Sequence, residues 1–100
     1  MTTGTYRFTF GNDIELTDAE ATLHLAMIAA EGLFGNALVR MDVSFAVDQA
    51  GRNLTVDGTT AVGATVVRMF TSLLLREFGE DAFTVRRVKA SSPDQAEAAA

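Results

Sequence analysis

Residues 39–57 read Val39-Arg40-Met41-Asp42-Val43-Ser44-Phe45-Ala46-Val47-Asp48-Gln49-Ala50-Gly51-Arg52-Asn53-Leu54-Thr55-Val56-Asp57. Val39, Met41, Val43, Phe45 and Val47 alternate with Arg40, Asp42, Ser44, Ala46 and Asp48. That period of two turns one side of a strand towards a core and the other towards water. Gln49-Ala50-Gly51-Arg52 supplies the turn, and Leu54 and Val56 alternate with Asn53, Thr55 and Asp57 in a return strand. The stretch therefore predicts a hairpin in the middle of the chain, built from strands over 39–48 and 53–57.

Upstream, Thr5-Tyr6-Arg7-Phe8-Thr9-Phe10 alternates strictly and predicts a half-buried strand. The next residues admit two readings. Gly11-Asn12 is a good two-residue turn and Asp13-Ile14-Glu15-Leu16 alternates again, so 11–16 is either a second hairpin strand or the loop into a helix. Thr17-Asp18-Ala19-Glu20 has the pattern of a capping box. A helix is expected from Asp18 to about Phe34, with Gly35 as its left-handed stop. Downstream, Asp57-Gly58 ends the return strand, Thr59 or Thr60 caps a second helix to about Phe78, and Gly79 closes it. Phe83 to Val88 is the last strand. Ser91-Ser92-Pro93 and the alanine-rich residues after it have little to bury.

The order β(β)αββαβ, with right-handed crossovers, predicts an α+β two-layer sandwich. It has an antiparallel four- or five-stranded sheet with two helices on one face, a ferredoxin-like layout. Residues 1–89 form the single domain and 90–100 a disordered tail. The Gly-rich, arginine-containing loop of acylphosphatases and the aromatic motifs of RNA-recognition domains are absent from the sequence. The expected core face carries Tyr6, Phe8, Phe10, Val39, Met41, Val43, Phe45, Val47, Leu54, Val56, Phe83 and Val85. The opposite face is polar, of mixed sign, and lacks aromatic rings.

Composition narrows the function classes. The chain has 100 residues, 48% hydrophobic and 21% charged, the mix of one globular domain. Its net charge of -5, from 8 basic and 13 acidic residues, argues against binding phosphate backbones or anionic membranes. The rings of the strands fall on the core face, so none is placed to stack on bases. With no cysteine and a lone histidine, His24, no metal site and no cofactor is expected. The sequence starts Met1-Thr2-Thr3-Gly4-Thr5 without a basic, apolar leader, and its most apolar run, Leu25 to Ala30, falls far short of the ~20 residues of a span. The expected location is the cytoplasm.

The first helix is apolar on two sides. At about 100° per residue, Leu23, Ala26, Met27, Ala30, Leu33 and Phe34 form one arc, and Ala21, Leu25, Ile28 and Gly32 form another. A helix on one sheet face needs a single apolar stripe. The second helix has Val62, Val66, Met69 and Leu73 in one row, Val67, Phe70, Leu74 and Phe78 in the next, and Leu75 outside both. Either the two helices cover each other's excess or a second chain does. The expectation is a homodimer that buries Ala21, Leu25, Ile28 and Leu75.

Three residues are candidates for chemistry. Glu20 and His24 are four apart and Glu31 follows seven later, so all share one helical stripe. A carboxylate placed so can orient an imidazole for acid–base work. The same stripe also reads as the helix's solvent side. Gly58-Thr59-Thr60-Ala61-Val62-Gly63-Ala64-Thr65 resembles a phosphate loop in spacing, but Ala64 stands where the lysine belongs. Arg86 and Arg87 form a small basic cluster on the last strand, of the kind that protects an edge. The sequence predicts a small homodimeric binding or accessory module with a protein or small-molecule partner. The alternative is an enzyme with an inter-subunit site using His24 and Glu20 or Glu31.

Overall fold

Two strands flank the first one on both sides, and that arrangement organises everything else. The computed structural model describes residues 4–88, so the expected tail at 90–100 lies outside the described residues. The elements are β1 (Thr5–Phe10), α1 (Leu16–Phe34), α2 (Asn36–Asp42), β2 (Phe45–Asp48), β3 (Asn53–Asp57), α3 (Ala61–Phe78), a 3-10 turn (Glu80–Ala82) and β4 (Phe83–Val88). The four strands form one antiparallel sheet in the order β2-β3-β1-β4. The described residues thus form an α+β protein with an antiparallel sheet and three helices.

Register places Phe45, Val56, Tyr6 and Arg87 in one row and Val47, Leu54, Phe8 and Val85 in another, all on the helix side. Phe8 is fully buried and meets Phe70 of α3 at a ring-centroid distance of 4.7 Å. His24 of α1 meets Phe45 edge-on at 5.6 Å. α1 and α3 therefore cover the same face. Leu23, Ala26, Val66 and Leu74 fill the space between them and the sheet.

The structure corrects the central reading. Residues 36–42 are helical, so the hairpin keeps only Phe45–Asp48 as its first strand, and the helices among the described residues number three, not two. Ala37, Leu38, Arg40 and Met41 are good helix formers. Val39 and Val43 are four apart and reach the core together from a helical turn, which leaves Met41 80% exposed instead of buried. Gly35, at φ +90, makes the reversal between α1 and α2, a conformation that favours glycine.

The early hairpin does not form. β1 already pairs with β3 on one side and β4 on the other, so no edge remains for a fifth strand over 11–16. Arg52 holds that loop instead. Its guanidinium donates to the carbonyl of Gly11 at 2.6 Å and to that of Ile14, from a turn residue at φ +55. The expected capping box is also absent. α1 starts at Leu16, one residue before Thr17, and Glu15 stands at the cap with no side-chain bond. At the start of α3, Thr60 accepts from the Gly63 amide at 2.8 Å, as a cap should.

Candidate functional site

The helix layer carries the features that the sequence singled out. Along α1, Leu23, Ala26 and Ala30 are buried while Leu25 and Ile28 are 52% and 62% exposed. Ala21 and Gly32, on the same side as these two, are exposed as well. The second arc is thus left uncovered by the rest of the chain, because α3 lies along the flank of α1 and not over its outer side. The flank contact is polar at one point: Thr22 donates to Glu77 at 2.9 Å and also to the Asp18 carbonyl at 3.1 Å. Leu33, placed by the sequence in the core arc, is exposed in the last turn of α1. It lies about 80° from Leu23 around the helix, at the margin of the covered side.

Two shallow grooves follow the α1–α3 seam. One, of about 290 Å³, is bordered by Ala21 and Leu25 on α1 and by Glu77 and Phe78 on α3. The other, of about 340 Å³, lies between Ala29 and Met69, Ser72 and Leu73. Leu75 is 46% exposed but borders neither groove. Of the four expected interface residues, Ala21, Leu25 and Ile28 lie on one side of α1, and Leu75 is exposed on α3.

His24 and Glu20 do come together, with Nε2 3.8 Å from a Glu20 oxygen across one helical turn. His24 is exposed and its ring edge rests on Phe45. Glu31 does not join them. Its carboxylate accepts a 2.9 Å bond from the Asn36 side-chain Nδ2 and so ties the end of α1 to the start of α2. No group of three or more metal-ligating side chains occurs among the described residues. No helix among them is long and apolar enough to cross a membrane.

The turn that resembled a phosphate loop is a structural junction. Asp57 accepts from the amide and the hydroxyl of Thr59 at 2.9 and 2.7 Å, which puts a carboxylate where an anion would sit. Thr60 also donates to the Asp42 carbonyl at 3.0 Å, so one hydroxyl joins α2 to α3. A Cβ at Gly63 would fall 2.3 Å from the Asp57 carbonyl oxygen, so glycine there lets α3 start against the end of β3. Sequence reasoning missed Arg52, which it took for a plain turn residue. Nothing local marks it, because its partners lie 41 and 38 residues away. Comparison with protein-family models, with characterised proteins and with solved structures finds no match.

Proposed function

We propose that this chain is a small homodimeric binding or accessory module that acts in the cytoplasm. Its self-contact is the outer side of α1, with Ala21, Leu25 and Ile28 at the centre. The observation that carries this reading is the exposure of Leu25 and Ile28, each more than half, on a side that also presents the small residues Ala21 and Gly32. Ala21 and Gly32 allow two helices to approach closely, and a two-fold axis would bring the same patch from both copies together. Leu75 would take part only at the rim. The layout we propose with it is ferredoxin-like, a reading supported by the strand order β4-β1-β3-β2 from the other edge. The test is Ile28→Glu. A charge on that side must stay in water, so the variant should elute as a folded monomer where the parent elutes as a dimer. Equal elution of the two would remove the reading.

A second reading draws on the 3.8 Å approach of His24 to Glu20. In it the pair works as acid and base at a site completed by another subunit. Glu31, bonded to Asn36, is the weaker candidate for the carboxylate. A turnover assay abolished by His24→Ala without unfolding would favour this enzyme over the accessory module.

A further inference from the structure

Charge and apolarity run in bands across the outer surface of the helix layer. Glu20, His24 and Glu31 share one stripe of α1, and the His24 ring rests on Phe45, so this stripe faces the β2 edge of the sheet. Beside it come Ala21, Leu25, Ile28, Ala29 and Gly32, all exposed. Beyond the seam, Arg68, Ser72 and Arg76 are exposed and four apart, which sets them in one row on the outside of α3, opposite the buried Phe70 and Leu74. The order across the layer is acid, apolar, base. Two further carboxylates, Asp18 and Glu77, border one end of the seam, and Glu77 accepts from Thr22 there.

The outer bands also match in height. α1 and α3 run antiparallel: Thr22 meets Glu77, and Ala29 borders a groove with Met69 and Leu73. Glu31 comes nine residues after Thr22 and Arg68 nine before Glu77, so the two stand level on opposite sides of the apolar band. By the same count Arg76 is level with Leu23, about 4.5 Å along the helix from Glu20.

We propose that a second copy docks about a two-fold axis running along the seam, so that α1 of each copy lies over α3 of the other. This arrangement rests on the α1 self-contact and assigns α3 as its other half. Rotation about that axis keeps heights and exchanges sides. It lays the apolar band on itself, brings Glu31 to Arg68 of the second copy and Glu20 to Arg76 of the second copy, and makes each pair twice. Each carboxylate has an oxygen left for the guanidinium, because Asn36 takes one oxygen of Glu31 and His24 approaches one of Glu20. An axis across the helices would set each helix on its own counterpart, with the arginine row of α3 facing the same row. Complementary potential favours the first arrangement and opposes the second. It also favours a second copy as the occupant, since the acid, apolar and basic bands of this surface are each met by the same surface turned around.

Sedimentation equilibrium of the full chain and of charge-reversed variants is the test. Glu31→Arg and Arg68→Glu should each weaken the dimer about tenfold, because two-fold symmetry replaces two ion pairs with two like-charge pairs. The combined variant should return to within about twofold of the parent. The single variants shift net charge in opposite directions, so weakening in both reads a contact and not overall repulsion. Arg86→Glu, on β4, makes the same charge change as Arg68→Glu and should leave the dimer unaltered. Glu20→Arg with Arg76→Glu repeats the cycle at the second pair, away from the Asn36 bond of Glu31. Full-strength dimers in both Arg68→Glu and Arg76→Glu, or no recovery in either combined variant, overturn the arrangement and leave the α1 self-contact standing. A monomeric parent removes both.

Discussion

Gly63→Ala pits helix propensity against tertiary contact. Gly63 lies in the first turn of α3, where alanine is the better helix former by up to about 1 kcal/mol. In an isolated helix the change would stabilise. Here the new methyl falls 2.3 Å from the Asp57 carbonyl oxygen and 2.9 Å from the Thr60 hydroxyl, and the closer atom is backbone. Relief requires α3 to move off the end of β3, and overpacking of this kind costs about 1–3 kcal/mol. The same movement strains the Thr60 cap, which contributes about 1 kcal/mol. The net expectation is a loss of about 1–3 kcal/mol. For a domain of this size that lowers Tm by roughly 4–8 °C for each kcal/mol. Thermal melts followed by far-UV circular dichroism read it directly. The contrast is Gly32→Ala on α1, which meets nothing within 4 Å and, at a dilution where the chain is monomeric, should raise Tm by a few degrees. A Gly63→Ala protein as stable as the parent would refute the close approach of α3 to β3.

Phe70→Ala removes a fully buried ring that packs against Phe8 at a centroid distance of 4.7 Å, tilted by 60°, and urea unfolding should show a loss of about 3–5 kcal/mol. Arg52→Met leaves the Gly11 and Ile14 carbonyls without their donor; it should cost about 1–3 kcal/mol and speed hydrogen exchange at the Ile14 amide, which bonds within that loop. His24→Ala changes an exposed side chain and should alter stability by less than about 1 kcal/mol in the same unfolding assay.

Strict alternation reads well where the strand has two different faces. Thr5–Phe10, Asn53–Asp57 and Phe83–Val88 all form strands where the pattern places them. It failed over 39–43 because spacings of two and of four coincide there. Val39 and Val43 satisfy both a strand and a single helical turn, and only Met41 distinguishes the two by ending in water. The glycines were informative: Gly35 and Gly79 sit at φ +90 and +87 at the helix ends assigned to them. The early hairpin was unreadable for a topological reason, since local turn chemistry at Gly11-Asn12 says nothing of which strands later occupy both sides of β1. The outer arc of α1 was legible because apolar excess is a property of one helix. The position of Leu75 was not, because it depends on how α3 is rotated against α1.

Sedimentation velocity of the unmodified chain at micromolar concentration tests the central claim most directly. The exposed side of α1 predicts a species of about twice the 10.7 kDa chain mass, converted to the monomer by Ile28→Glu. A single species at 10.7 kDa for the unmodified chain would contradict it.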